Sequence, residues 1–243
     1  MKEFPFKLPS GRRIVLREST GLDELAAFRR CGTKPEEQEH QQYELVAANL
    51  ISCEGIPLEL TGYERLMRLT SKDRQALSVL WNKINMPTAA EVKALRASVV
   101  KGKGESGNGQ VGTSGFLLAT CSFKLPCGAE VMMHQCTGTE EFAAQRAFIG
   151  KPKAEADLYR KWDELARCTQ RLGGATEDRG PKTDKTDSTN RTYSGFEELF
   201  ALTSKALACL FIIFTDENIL SGEELTGLRD FSPTGSPSPS SQS

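Results

Sequence analysis

A stretch that the chain contains twice limits how it can fold. Phe6-Lys7-Leu8-Pro9-Ser10-Gly11 near the start returns as Phe123-Lys124-Leu125-Pro126-Cys127-Gly128. When residues 6–27 are laid on 123–144, Phe, Lys, Leu, Pro, Gly, Thr, Gly, Glu, Ala and Ala coincide, whereas unrelated segments of that length share about one or two residues by composition. Such self-similarity marks a duplicated structural unit.

A second block repeats at a wider spacing: Gly62-Tyr63-Glu64-Arg65-Leu66 to Leu69-Thr70-Ser71-Lys72 returns as Gly195-Phe196-Glu197-Glu198-Leu199 to Leu202-Thr203-Ser204-Lys205. The same spacing relates Asn85 to Asn218, Thr88 to Ser221, Glu91 to Glu224 and Leu95 to Leu228. The change of spacing requires an insertion in the second copy, and the polar run 174–190 supplies it, since polar loops lengthen at little closure cost.

The expected fold is therefore α+β, with two tandem homologous domains, each an N-terminal β-hairpin packed against a small helical bundle. The first copy spans 1–100. A Gly/Ser/Lys-rich stretch, 101–115, reads as a flexible linker. The second copy covers 116–231 with its insertion at 174–190, and the Ser/Pro-rich end, 232–243, reads as disordered.

Within the first copy, residues 4–9 and 12–18 alternate in hydrophobicity around Pro9-Ser10-Gly11, a hairpin signature. Thr20 with Asp23 fits a helix N-cap, with Asp in place of the usual Glu. A helix is predicted from Glu36 to about Cys53, a short one after Gly62, one over 71–84, and a last one begun by the Thr88/Glu91 capping box. The second copy keeps that box as Ser221 and Glu224.

Composition excludes several function classes. Lys plus Arg number 31 and Asp plus Glu 32, so no overall field draws the chain to nucleic acid or to an acidic membrane. The longest apolar run, 206–214, is about half of a membrane span and reads as a buried helix. Seven irregularly spaced cysteines and no recognisable signal segment point to a reducing cytosol rather than a disulfide framework.

The histidines are His40 and His134. His40 sits in a polar helical run and reads as a solvated residue. Cys121, Cys127, His134 and Cys136 invite comparison with a zinc site, but they lack the paired CxxC or HxxxH spacing that brings two ligands from one tight turn. Their counterparts in the first copy, Phe4, Ser10, Arg17 and Ser19, are not zinc ligands. A Cys/His nucleophilic pair lacks an identifiable orienting residue. The overlapping GxGxxG matches in 102–112 come from glycine density and precede an expected strand rather than a helix, so they do not make a dinucleotide site. Catalytic, cofactor-binding and metal residues are all expected to be absent, and the cysteines read as small core-compatible side chains.

The Phe-x-Leu-Pro-Ser-Gly hairpin, Leu-Arg-Glu-x-Thr at 16–20, Leu-Thr-Ser-Lys-Asp-Arg at 69–74 and Asn-x-Pro-Thr-x-x-Glu at 85–91 together resemble the tail assembly chaperones of long-tailed bacteriophages. They also resemble the related small tail and baseplate assembly proteins. The resemblance covers about the first 95 residues well and the second copy more loosely. It implies a non-enzymatic factor in the host cell cytoplasm that holds the tape measure protein soluble while tail tube subunits assemble. Its partners would be the tape measure protein and tail tube or baseplate proteins, with no nucleic acid or membrane, and self-association is compatible with it. The alternative is a structural component of the baseplate or tail hub, located in the virion. The resemblance also raises the question of a longer, frameshifted product. Two similar units on one chain suit an extended, repetitive client, because engagement of one raises the local concentration of the other.

Overall fold

A computed structural model describes residues 2–31, 35–103, 119–150, 153–173 and 199–219. The fold is mixed α+β, with two small antiparallel sheets. Strands β1 (Glu3–Lys7) and β2 (Arg13–Arg17) form the first hairpin, and β3 (Leu50–Cys53) pairs with β2, giving the order β1-β2-β3. Between them run α1 (Gly21–Cys31) and α2 (Pro35–Asn49); α3 (Gly62–Met67), α4 (Ser71–Asn85) and α5 (Ala89–Ser98) follow.

The second sheet has the order β4-β5-β6-β7, built from β4 (Val100–Lys103), the hairpin β5 (Ala119–Lys124) and β6 (Glu130–His134), and β7 (Thr169–Gly173). Helices α6 (Gly138–Ala147) and α7 (Lys153–Cys168) lie between β6 and β7, and α8 (Ser204–Asn218) follows.

The repeated sequence builds the same local geometry twice. Each hairpin turns through a glycine at positive φ, Gly11 at 90° and Gly128 at 92°, a conformation that a side chain disfavours. The Leu8 amide bonds the Arg12 carbonyl and the Gly11 amide the Leu8 carbonyl; Leu125 with Ala129, and Gly128 with Leu125, do the same. Phe6 pairs with Ile14 and Phe123 with Val131. The third strand joins with the same irregularity in both sheets, between Val15 and Leu16 and between Met132 and Met133.

Helix starts follow the capping logic read from the sequence. The Thr20 amide bonds the Asp23 carboxylate at 2.9 Å, and the Asp23 amide approaches the Thr20 hydroxyl. Thr88 with Glu91 and Thr137 with Glu140 form complete capping boxes. The hydroxyls of Thr70 and Thr203 each accept from an amide in the first turn of α4 and α8.

Three elements differ from the sequence expectation. The helix expected to reach Cys53 ends at Asn49, and Leu50–Cys53 is a strand because its buried Leu50 and Cys53 pair with Leu16 and Ile14. β7 is likewise a third strand that periodicity did not mark. The proposed linker also begins as structure: Val100–Lys103 pairs with β5, Lys101 opposite Cys121. The rest of the linker, the 174–190 insertion, the Ser221/Glu224 box and the 232–243 end lie outside the described residues.

Two apolar clusters form. The first gathers Leu8, Ile14, Leu16, Val46, Leu66, Leu77 and Trp81; the second gathers Phe123, Val131, Met133, Leu165, Leu207, Leu210 and Ile213. Each fully buried aliphatic side chain contributes about 1.5–3 kcal/mol. The clusters do not respect chain order. Leu25 of α1 and Leu95 of α5 pack in the second cluster, although Ala27 of α1 packs in the first. Helix α8, whose Ala206, Leu207, Cys209, Leu210, Ile213 and Phe214 are buried, meets α1, α4 and α5.

The join is tight. Thr20 bridges Thr203, the Gly21 amide bonds the Leu202 carbonyl, and the Ser204 amide bonds the Ser19 carbonyl. A Cβ on Gly21 would lie 2.7 Å from side-chain atoms of Leu207 and Phe200 and 2.8 Å from the Phe200 Cα. Arg96 grips Asp216 through two hydrogen bonds, and Lys205 reaches Glu91 at 3.0 Å.

Candidate functional site

The end of β6, the start of α6 and the end of α7 meet at one corner of the second sheet. β6 ends in His134, whose side chain is 9 % exposed. Thr137 caps α6 and thereby fixes Glu140: its Oε2 accepts from the Thr137 amide and hydroxyl at 2.9 and 2.8 Å. Oε1 is left to meet His134 Nε2 at 2.9 Å. Cys168, the last residue of α7, is fully buried where β7 starts beside Met133.

One donor atom from each of His134, Glu140 and Cys168 lies within 4.8 Å of the others. The Cys136 thiol donates to the Thr137 carbonyl. The neighbouring Cys136 thiol and burial push the Cys168 thiol up. Burial pushes the Glu140 carboxyl up as well, but its bonds to His134 and Thr137 outweigh this and hold it below the ordinary carboxylate value. His134 Nδ1 is buried and has no hydrogen-bond partner.

The sequence singled out Cys121, Cys127, His134 and Cys136, and the structure separates them. Cys127 is exposed at the hairpin turn, and Cys121 is buried on β5 with its thiol pushed up to about 11 by burial. His134 and Cys136 remain near each other and gain Glu140 and Cys168 as neighbours. Glu140 was not among the residues the sequence marked, and it enters as the Glu of the Thr137 capping box. Cys168 is far along the chain and arrives through β6–β7 pairing. His40, by contrast, packs its ring against Tyr63, with centroids 5.0 Å apart.

The corresponding corner of the first sheet is built differently. Arg17 stands where His134 does and Asp23 where Glu140 does, and the guanidinium makes two bonds of 2.9 and 2.7 Å to that carboxylate. Its remaining contacts include the carbonyls of Glu18 and Ala48. By strand register, Asn49 occupies the place of Cys168.

A clasp occurs in both halves. The Asn85 carbonyl accepts from the buried Ser19 amide at 2.8 Å, while its amide donates to the Trp81 carbonyl. Asn218 accepts from Cys136 at 2.6 Å and donates to Phe214. Each clasp ties the end of a long helix to the segment leaving the hairpin.

Compared with models of known protein families, with curated proteins and with solved structures, the chain matches none. Among the described residues, no helix is long and apolar enough to cross a membrane.

Proposed function

We propose that the chain is two tandem homologous units and acts as a non-enzymatic phage tail assembly chaperone that binds the tape measure protein. The observation that carries this reading is the twice-built asparagine clasp. Asn85 is the first residue of the Asn-x-Pro-Thr-x-x-Glu motif, and its contact partner Ser19 lies in Leu-Arg-Glu-x-Thr. The motifs that carry the resemblance are thus in contact with one another, and Asn218 repeats the contact in the second half.

An open apolar groove on the first sheet adds support. Phe6, Ile14, Val15, Cys53, Ile56 and Leu58 line it, and Leu58 is 66 % exposed. Lys7, Arg13 and Glu54 rim it. A shallow, open apolar surface of this kind suits the apolar face of a client helix.

The test is co-expression of the tagged chain with the tape measure protein, paired with quantitative mass spectrometry of lysate and finished particles. Co-purification with the tape measure protein, together with abundance in lysate and absence from particles, is expected. A fixed copy number in particles would replace the chaperone with a baseplate or tail hub component.

A further inference from the structure

We propose that His134, Glu140 and Cys168 form a binding site for a thiophilic divalent cation of the zinc class. Four observations converge on it.

The donor set has the right chemistry. Imidazole, thiolate and carboxylate are the three side-chain types that zinc takes, at about 2.0–2.3 Å from the metal. Tetrahedral ligands at such distances stand about 3.3–3.8 Å apart. The donors of His134, Glu140 and Cys168 lie within 4.8 Å of one another.

The imidazole and the carboxylate are already brought together. His134 Nε2 and Glu140 Oε1 stand 2.9 Å apart, and an ion bound between them would take the place of the proton they share, since metal ligands must be deprotonated.

The frame is rigid. Glu140 is pinned by the Thr137 cap, and the Cys136 amide is held by Asn218. His134 ends β6 and Cys168 ends α7, each next to a member of the Met133–Thr169 strand pair. A metal site needs ligands whose positions are fixed before binding.

The first half shows what this corner requires. There the Arg17 guanidinium places a cation against Asp23 and neighbouring carbonyls. In the second half Arg becomes His, Asp becomes Glu, Ser19 becomes Cys136 and Asn49 becomes Cys168. All four positions change together: an arginine–aspartate pair, a serine and an asparagine give way to four side chains that carry metal-donor atoms. The absence of ligands from the first copy therefore does not argue against a metal; it locates the site in the second copy alone.

Zinc binding is tested on the full chain, purified with reductant, stripped with a chelator and titrated with Zn²⁺ alone. One ion per chain is expected. Cys168→Ser and His134→Ala are each expected to weaken binding by about 100-fold or more, while Cys127→Ser and His40→Ala leave it unchanged. Co²⁺ added to the unsubstituted chain should give a thiolate-to-metal charge-transfer band, which reads sulfur ligation even if the Cys168 variant fails to fold. Substoichiometric zinc, a cobalt complex without that band, or binding that survives in folded Cys168→Ser and His134→Ala would each overturn the site.

Discussion

Asn85 reaches across to the Ser19 amide at 2.8 Å, and both residues are fully buried. One side chain thereby satisfies a main-chain donor at the exit of the hairpin and a carbonyl, that of Trp81, near the end of α4. Asn85→Ala would leave the Ser19 amide without a partner, which costs about 1–3 kcal/mol. Chemical denaturation should show a matching loss of stability. Asn218→Ala should cost less, because the Cys136 amide is only partly buried. Equal and negligible effects from both substitutions would remove the clasp from the account of the fold.

Gly21 and Gly138 occupy matched positions in the two halves but have different surroundings. A Cβ on Gly21 would press into Phe200 and Leu207, whereas one on Gly138 meets nothing within 4 Å. Gly21→Ala should therefore destabilise by about 1–3 kcal/mol through overpacking. Gly138→Ala should change stability by no more than about 0.5 kcal/mol. Thermal unfolding of the two variants side by side provides the comparison.

Asp23 and Glu24 should respond oppositely to acid. Burial raises Asp23, but the Arg17 and Thr20 bonds prevail and hold it below its ordinary 3.8. A carboxyl lowered by folding stabilises at pH values above its unfolded value, and that contribution fades as pH falls through the folded one. Asp23→Asn should thus cost about 1–3 kcal/mol at neutral pH, with the deficit shrinking below pH 3.8. Burial pushes Glu24 above its ordinary 4.5. Its contribution is fully present below 4.5 and declines as pH rises through the folded value. Glu24→Gln should therefore be stabilising at neutral pH, and that gain should vanish in acid. Denaturation curves collected across pH would show any failure of this crossing.

Thiol reactivity should discriminate sharply among the cysteines. Cys127 is exposed, whereas burial pushes Cys121 and Cys209 to about 11. Since the thiolate is the reactive form, alkylation of the folded chain near neutral pH should mark Cys127 and spare Cys121 and Cys209. Peptide mapping would read the pattern, and early modification of Cys121 would contradict it.

The hairpins and caps were legible in the sequence because their causes are local. Alternating Phe6, Leu8, Ile14 and Leu16 around Gly11 need no distant partner to be recognised. Thr88 and Glu91 likewise carry their capping geometry in their spacing. β3 was not legible, since Leu50-Ile51-Ser52-Cys53 continues the apolar rhythm of α2 and becomes a strand only by pairing with β2. β4 was hidden in a glycine- and lysine-rich run whose strand character depends on the edge of β5.

At the candidate site, His134, Cys136 and Glu140 were close in sequence, and the missing member was Cys168. No short spacing announces a ligand delivered by a strand register. The constant spacing of the repeat already sets Arg17, Ser19 and Asp23 against His134, Cys136 and Glu140. The replacement of Asn49 by Cys168 becomes visible only when the strand pairing aligns the corners.

The contact between Gly21 and Phe200 has a direction. The start of α1 acts as a plug, and the segment from Phe200 to Leu207 as its socket. Each half of the repeated sequence carries a version of both parts, but among the described residues only the first plug and the second socket are engaged. The second plug, the Gly138 corner, stands open, with Phe142 in the place of buried Leu25 and 59 % exposed. The first socket has Met67 and Arg74 where the second has Phe200 and Leu207. A joint of this type is head-to-tail rather than two-fold. Its two halves are consequently unequal: the start of α1 is covered, while the matching start of α6 leaves Phe142 exposed.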